Sequence, residues 1–407
     1  MLRNLKRNTA IGAMLLCVPY MATSDASAVV SAPDALSRQL LSAADTGQGN
    51  TVVSPLSLAA VVALSRAGLD EAPLQPDMPD SVSMAYALWL DEGMVPSETA
   101  AEVLESGWGA KVEELDLAKD GKAVINAWAK EATNGIIETL IQDPLSQATL
   151  VLTNALHFKD AWASQFNPDQ TAPKPFTLTD GNTVDVAFMT GNKTFPCWEV
   201  DGRYVVAMPF ASGGHLLLSM PMETSDATDA EVAPEPTEAA AEDIIMDPVH
   251  DGDTNEIASG ETADTPAEVD LADDPATDPV VEEVAKDSAV FTLDDAQLVR
   301  LSLPKLDLSA DLDLSQLLKE TGLQDDFLEG LATLTVAPAL PGPVLQSVVF
   351  DADEFGAEAA AATAAIGVRS IQTTSAPLLE FNRPFELFLM MPDTGTALIA
   401  ASVRDPR

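Results

Sequence analysis

The residue types that most often carry enzyme chemistry are few in this chain and lie far apart. The 407 residues include three histidines, His157, His215 and His250, and two cysteines, Cys17 and Cys197. No two of them have the short spacing of metal ligands, and no histidine lies near a cysteine in sequence. The sequence also has no Gly-x-Ser-x-Gly nucleophile elbow and no phosphate-binding glycine loop. We therefore expect no enzymatic activity, no cofactor and no metal site.

One acidic stretch has part of the pattern of a calcium-binding loop. Asp251, Asp253 and Asn255 have the spacing of the first EF-hand ligands. However, Glu256 stands where such a loop needs its turn glycine, and Thr262 where it needs its closing glutamate. The stretch therefore predicts no specific calcium site.

The formal net charge is −43, and about half of it comes from residues 223–287. That segment holds 22 Asp and Glu against one Lys, with six prolines and no aromatic residue. Such a composition cannot bury enough apolar surface to offset its ordering entropy, so we predict a disordered acidic insertion. Nucleic acid and anionic membranes are poor partners for this charge, whereas basic proteins are attracted at low salt.

The N-terminus has the pattern of a secretory signal. Three basic residues precede an apolar run over 10–22, and the small residues Ala26-Ser27-Ala28 follow as a cleavage site. The run is too short to span a bilayer. We predict a signal peptide over 1–28, a secreted or extracellular protein (or a periplasmic one), and no membrane contact after cleavage. Removal of Cys17 leaves Cys197 alone, so no internal disulfide can form.

Apolar patterning predicts helices early in the chain and strands late. Pro55 near the start of an apolar run to Ala67 indicates a buried helix, and residues 123–140 read as helical with an interruption or end near Asn134-Gly135. Five apolar runs have strand length, at 150–158, 204–210, 215–220, 344–350 and 385–391. This order favours an α+β fold, with residues 29–407 as a single domain interrupted by the insertion.

Six segments carry recognisable motifs in a fixed order. They are NTVVSPLS (50–57), NAWAKEATNGI (126–136), LTNALHFKDAW (152–162), LPK (303–305), EFGAEAAAAT (354–363) and FNRPF (381–385). Together they resemble the serpin family of serine protease inhibitors over nearly the whole chain outside 1–28 and the insertion. The resemblance implies the serpin fold: three β-sheets, a helical N-terminal half and an exposed reactive-centre loop, here 354–379.

The resemblance also implies roles for single residues. Glu354 should pair with Lys305 at the top of the main sheet. Asp160 stands where the family usually has glycine, and Gln346 where many members have a histidine in the sheet-opening region. The Gln346 change bears on the energetics of opening more than on the architecture. The stretch 68–82 is short, so we expect one peripheral helix to be trimmed. Structural roles are implied for Ser54, Ser57, Asn154, Trp162, Lys305 and Gln346.

The hinge of the loop is rich in alanine. It comprises Glu354, Gly356, Ala357, Glu358, Ala359, Ala360, Ala361, Ala362 and Thr363. Taken alone, this composition predicts a helix, but the resemblance implies that the segment inserts into the main sheet as a strand after cleavage. In a strand, Ala357, Ala359, Ala361 and Thr363 share one small face, and Glu358 lies on the other, in water. Because bulky residues would overpack a closing sheet, this hinge favours an inhibitor.

The cleaved bond is expected near residues 369–371 by family spacing from Gly356. Arg369-Ser370 suits a trypsin-like protease, which holds a basic side chain against a buried acid. One register step later, Ser370-Ile371 suits an elastase-like or subtilisin-like protease, and the long loop leaves room for a bond as late as Thr373. Arg369 as an ordinary solvated charge is the remaining interpretation. The expected partner is a serine protease in a covalent acyl complex with a monomeric inhibitor. The alternative is a non-inhibitory serpin acting as a carrier, chaperone or adhesion module.

Overall fold

The structure is a computed structural model that describes residues 29–69, 78–133, 135–222, 290–357, 376–391 and 395–407, all of them in one compact unit. The expected signal peptide, the acidic insertion and the reactive bond lie outside the described residues. The helices are α1 Ala35–Ala44, α2 Pro55–Ser65, α3 Glu98–Glu102, α4 Lys122–Ala132, α5 Ser315–Glu320 and α6 Gln324–Leu334.

The strands alternate with these helices and dominate the second half of the chain. They are β1 Val29–Ser31, β2 Thr51–Val53, β3 Val82–Asp91, β4 Lys111–Leu115, β5 Leu150–Phe158, β6 Asp160–Ala161, β7 Ala172–Thr177, β8 Thr183–Val200, β9 Arg203–Pro209, β10 His215–Pro221, β11 Val290–Thr292, β12 Gln297–Pro304, β13 Leu306–Asp313, β14 Leu345–Ala352, β15 Gly356–Ala357, β16 Leu378–Glu380, β17 Phe385–Met390 and β18 Ala397–Val403.

The strands form three sheets, which confirms the fold that the resemblance implied. In the main sheet the order is β4-β3-β5-β14-β13, with the short strands β15 and β6 at its upper end. The second sheet has the order β16-β12-β8-β9-β10-β17-β18-β2, and β7 pairs with β8. The third consists of β1 and β11.

Helix α2 is the buried centre of the molecule. Ser54 caps it, its Oγ accepting a hydrogen bond from Ser57 N at 3.1 Å, and Pro55 occupies the first turn, where no amide hydrogen is needed. Every residue from Pro55 to Ser65 is buried. A helix that is apolar all round must be enclosed, and α2 contacts both β5 of the main sheet and β18 of the second sheet.

Helix α4 packs against the main sheet, with Trp128 edge-on to Trp89 of β3, and it ends at Ala132. Of the two predicted alternatives, an interruption or an end near Asn134-Gly135, the structure has the end. Gly135 has φ +93°, which ends a helix readily because glycine has no Cβ. The Asn126 side chain then accepts hydrogen bonds from Leu140 N and Ile141 N at 2.8 and 2.7 Å. These bonds hold the following segment in a non-helical path toward β5.

The five predicted strands are confirmed as β5, β9, β10, β14 and β17, with ends that agree to within two residues. Of the stretch 68–82, the short 3₁₀ turn ends at Gly68 and β3 begins at Val82. Residues 70–77, where the trimmed helix was expected, lie outside the described residues.

Candidate functional site

The loop begins in a tight turn at the top of β14. Asp353 Oδ1 accepts hydrogen bonds from Phe355 N at 2.8 Å and Gly356 N at 3.3 Å, and Asp353 N donates to Gly356 O at 3.0 Å. Gly356 has φ +155°, and a Cβ there would lie 2.1 Å from the carbonyl oxygen of Asp160. Only glycine fits this turn, because any side chain would collide with the backbone of β6.

Glu354 ties the turn to its surroundings. Its carboxylate lies 2.8 Å from Lys305 Nζ and accepts a 2.6 Å hydrogen bond from Thr171 Oγ1, and its side chain is 5% exposed. Burial opposes ionisation, but the hydrogen bonds from Lys305 and Thr171 outweigh it and hold the pKa of Glu354 below its usual value. The site therefore contains the Glu354–Lys305 pair that the resemblance implied, in the ionised form.

Trp162 fixes the other side of the turn. Its Nε1 donates to Asp353 O at 2.8 Å and its backbone N donates to Phe355 O at 2.9 Å. The indole stacks on Phe210 at 4.4 Å between ring centroids. The turn is thus held from two directions, and the chain leaves it in a fixed direction at Ala357.

Ala357 occupies the top of a gap in the main sheet. It pairs with Ala352 of β14 on one side and with Asp160 of β6 on the other, both antiparallel, and it is 1% exposed. Below it, β5 and β14 run parallel and share a single described backbone pair, Thr153 with Leu345. By contrast, β14 and β13 pair over eight consecutive residues. We call the space between β5 and β14 below Ala357 the slot.

Two cavities mark the slot. A small one of about 50 Å³ lies between its upper strands, lined by residues of β5 (Leu156, His157, Phe158), residues of β14 (Val349, Asp351) and Ile136. A larger opening of about 770 Å³ lies at its lower end, lined by segments 140–148, 311–313 and 340–346 except Val344. At the lower end, the segment that leads into β14 is hydrogen-bonded to the start of β5, with Gly342 N donating to Leu150 O at 2.7 Å, so the loosely joined part of the slot is its upper part.

A buried polar contact joins β14 to α2 under the slot. Gln346 Oε1 accepts from Ser54 N at 2.8 Å and Gln346 Nε2 donates to Ser54 O at 3.0 Å. Ser54 Oγ also donates to Ser57 Oγ at 2.9 Å. Asn154, on β5, donates to Ala85 O at 3.5 Å. All four side chains of this group, Ser54, Ser57, Asn154 and Gln346, are buried.

The predicted site residues thus fall into two groups among the described residues. Glu354, Gly356, Ala357, Lys305 and Trp162 meet at the top of the slot, and the four buried polar residues lie below. The other hinge residues, 358–363, and the bond candidates Arg369, Ser370 and Ile371 lie outside the described residues.

Sequence reasoning missed two partners of this turn. Asp353 could have been found, since an aspartate three residues before a glycine is a common turn pattern. Thr171 carried no signal, because only the tertiary fold brings it to Glu354. Asp160, which replaces the usual glycine, accepts a hydrogen bond from Ser212 N at 3.2 Å through its side chain and leaves its backbone free to pair with Ala357.

Two further reactive side chains among the described residues, Cys197 and His215, have shifted pKa values. Cys197 is buried, and burial together with the charge of Glu199 raises the pKa of its thiol to about 11. Burial also lowers the pKa of His215. Among the described residues there is no cluster of three metal-ligating side chains and no helix long and apolar enough to cross a membrane.

Comparison with known proteins identifies the family to which this chain belongs. A family model described as Serpin (serine protease inhibitor) matches residues 69–247 and 281–406. Serpin-Z10 of Arabidopsis thaliana is 25% identical over 80% of this chain and 77% of its own length. Alpha-2-antiplasmin of Bos taurus is 26% identical over 88% of this chain and 68% of its own length. The chain belongs to the serpin family, whose members are generally protease inhibitors.

Solved structures agree on the fold. Serpin48 of the insect Tenebrio molitor superposes with a TM-score of 0.64 at 19% identity, covering 91% of this chain and 95% of that one. Thyroxine-binding globulin in complex with thyroxine superposes with a TM-score of 0.63 at 18% identity, covering 91% and 96%. At these identities the likeness concerns the fold alone.

Proposed function

We propose that this chain inhibits a serine protease as a suicide substrate, by inserting its cleaved loop into the slot. The observation that carries the proposal is the small number of backbone pairs between β5 and β14. Ala357 has begun a new strand at the top, and only one described backbone pair, Thr153 with Leu345, joins the two strands below it. A strand added there would gain backbone hydrogen bonds on both sides.

The chemistry begins with the protease. Its serine oxygen attacks the Arg369 carbonyl carbon, the bond from that carbon to Ser370 N breaks, and the proton of the serine hydroxyl passes to Ser370 N, which leaves as an amine. Arg369 is then an ester on the protease serine. Water would normally hydrolyse this ester, so inhibition requires the loop to insert faster than hydrolysis proceeds.

The sequence of the hinge should make insertion of the loop as a strand favourable in free energy. About ten new backbone hydrogen bonds at about 0.5–1.5 kcal/mol each amount to roughly 10 kcal/mol, comparable to the stability of a whole domain. Continuing the register of Ala357 puts Glu358 between Asp351 and Lys159, both exposed, so its charge stays in water beside a lysine. The alternate face of the hinge enters the core beside Phe158 and Phe350, both buried.

The same register favours Arg369-Ser370 as the cleaved bond. In an antiparallel strand, Arg369 falls opposite Leu340 on the β14 side, counting from the pair of Ala357 with Ala352. Leu340 lines the opening at the lower end of the slot, where its carbonyl oxygen accepts hydrogen bonds from Thr149 N and Leu150 N that insertion would have to break. Cleavage after Arg369 therefore releases a strand as long as the slot, and the target is a trypsin-like protease.

We further propose that residues 1–28 direct export and are removed. The mature inhibitor then works outside the cell or in the periplasm, as a monomer until it captures a protease. The acidic insertion, 223–287, remains a solvated segment of the same domain, and its charge attracts basic proteases at low ionic strength.

The test incubates residues 29–407 with trypsin, an elastase and a subtilisin. An SDS-stable adduct with trypsin, together with a released peptide that begins at Ser370, supports the proposal. A peptide beginning at Ile371, with an adduct of elastase or subtilisin, assigns the alternative bond. Clean turnover by all three proteases, with no rise in melting temperature after cleavage, contradicts inhibition and indicates a non-inhibitory serpin.

Two hinge variants provide a matched control. Ala359→Glu puts a charge on the face that enters the core, so the loop should be cut without an adduct. Ala360→Glu puts the same charge on the outer face, so the adduct should persist. Equal behaviour of the two variants would contradict insertion in the proposed register.

A further inference from the structure

Exposed apolar side chains gather around one groove beside the lower end of the slot. Of the eight large apolar side chains that are exposed among the described residues, half lie here. They are Val95 (57% exposed), Leu328 (44%), Val336 (74%) and Leu340 (63%). Single exposed apolar residues are ordinary on a protein surface, but a patch of them with a polar rim marks an interaction site.

Helix α6 forms one side of the groove. Leu328 and Ala332 are both exposed and stand four residues apart, so they share one face of the helix. Beneath them, Leu331 and Leu150 of β5 are buried and line the cavity of about 280 Å³. Residues 335–339, which follow the helix, line the rest of it.

A short antiparallel pairing extends the apolar surface beyond the helix. Pro96 lies opposite Thr335, and Val336 N donates to Val95 O at 3.0 Å. Val95 and Val336 are therefore directly opposite each other, which sets their side chains on one face with Cβ atoms about 5 Å apart. Both are exposed, so this face of the pair adds to the groove.

The charges in the segments that form this surface are all negative. Residues 91–98 and 324–342 contain six acidic residues and no lysine, arginine or histidine. The exposed acidic residues are Glu92, Glu98, Asp325 and Glu329. Arg66 lies 3.9 Å from Asp326, but Asp326 is on the buried face of α6. The groove is thus an apolar surface with an acidic rim.

This rim decides which occupant fits the groove. A second copy of the chain would bring the same carboxylates against these in a two-fold contact, between molecules of net charge −43. Anionic membranes are repelled in the same way. A small ligand fits poorly, because the cavity is below the ~300–1,000 Å³ of ligand pockets and Val95 and Leu340 lie outside it.

We infer that this groove is a docking surface for a protein segment that carries apolar side chains flanked by lysine or arginine. The apolar side chains cover Leu328 and the Val95–Val336 pair, and the basic flanks meet Glu329 and the rest of the rim. Apolar burial supplies most of the affinity, and the charges select the partner. The groove lies before the start of β14 at Leu345, whereas the reactive loop follows its end, so the inference does not depend on the inhibitory mechanism.

The probe is a short synthetic peptide with two central leucines, two lysines at each end and a fluorescent label. Fluorescence anisotropy measures its binding to residues 29–407 at physiological ionic strength. One companion peptide has serines in place of the leucines, and another has glutamates in place of the lysines. The leucine–lysine peptide should bind about tenfold more tightly than either companion, because only it supplies both apolar burial and positive charge.

Paired variants of the protein locate the binding. Leu328→Ser should raise Kd about three- to tenfold, since 44% of this side chain is left for the peptide to bury. Leu298→Ser is its matched control, because Leu298 is 55% exposed on β12 of the second sheet, and Kd should not change. Glu329→Gln should weaken binding of the leucine–lysine peptide more than Glu131→Gln, a change of an exposed glutamate on α4. The two glutamine variants keep the test valid if Leu328→Ser does not fold.

Three results would overturn the inference. Equal binding of the leucine and serine peptides, or equal Kd values for Leu328→Ser and Leu298→Ser, would exclude docking in this groove. Equal effects of Glu329→Gln and Glu131→Gln would show that the rim does not select a basic partner. A wild-type dimer in analytical ultracentrifugation that Leu328→Ser abolishes would identify a second copy of the chain as the occupant instead.

Discussion

The hydrogen bonds between Gln346 and Ser54 should stabilise the uncleaved protein, and a substitution of Gln346 tests by how much. Gln346 is 3% exposed and Ser54 fully buried, so water cannot replace what a substitution removes. In Gln346→Leu, Ser54 O keeps its helical hydrogen bond from Leu58 N at 3.1 Å. Ser54 N loses the 2.8 Å bond to Gln346 and becomes an unsatisfied buried donor. That loss should cost about 1–3 kcal/mol.

The assay is urea unfolding of the uncleaved protein at neutral pH. With an m value of about 3 kcal/mol/M, the unfolding midpoint should fall by about 0.3–1 M. Gln39→Leu is the matched control, since Gln39 is exposed and makes one long bond of 3.3 Å to Glu320 O. The free energy of unfolding of this variant should differ from that of wild type by no more than about 0.5 kcal/mol.

Gln346→Glu extends the same reasoning to pH. A carboxylate can accept from Ser54 N but faces Ser54 O, and burial with this repulsion should raise the pKa of the introduced group. The variant should therefore be weakest at neutral pH and recover as pH falls through that raised pKa. Equal midpoints for Gln346→Leu and Gln39→Leu, or no pH dependence in Gln346→Glu beyond that of wild type, would refute the argument.

Three further substitutions or reactions test the top of the slot and the core. Gly356→Ala should destabilise the uncleaved protein by about 1–3 kcal/mol in urea, because its Cβ meets the Asp160 carbonyl. The lowered pKa of Glu354 contributes stability that is present above about pH 4.5 and lost as pH falls through the folded value, so the difference between wild type and Glu354→Gln should shrink below pH 4. Because Lys305 is half exposed, its ion pair with Glu354 should contribute less than about 1 kcal/mol to that difference in the free energy of unfolding. Cys197 should resist thiol reagents at pH 8 until the chain unfolds, and fast labelling of folded protein would contradict its burial.

Local patterns predicted the parts of the fold that depend on local rules. The start of α2 followed from Ser54 and Pro55, and strands such as β5 followed from unbroken apolar runs. The 18-residue β8 was missed because its buried and exposed positions alternate irregularly and glycine and proline interrupt it. The end of helix α4 near Asn134-Gly135 was predicted from local sequence, whereas the path of the chain beyond it was not, because it depends on the contact of Asn126 with the backbone fourteen residues away.

The site divides in the same way. Gly356 and the alternation of the hinge are local, and Ala357 lies on the buried face as that alternation requires. Its strand conformation is not local, since the alanine run prefers a helix until β6 and β14 supply partners. The offset of β5 against β14, which aligns Asn154 with Gln346, depends on two strands almost two hundred residues apart. No sequence window contains that information.

The slot has a consequence for solutions of the protein at high concentration. Above the pair of Thr153 with Leu345, the facing edges of β5 and β14 have no described backbone pair, and unpaired strand edges can accept an extended segment from another chain. A second copy carries the same alanine-rich segment, so we expect self-association to compete with insertion in cis. The net charge of −43 opposes that encounter by mutual repulsion. Added salt screens the repulsion, so dilute, low-salt solution should preserve the monomer best.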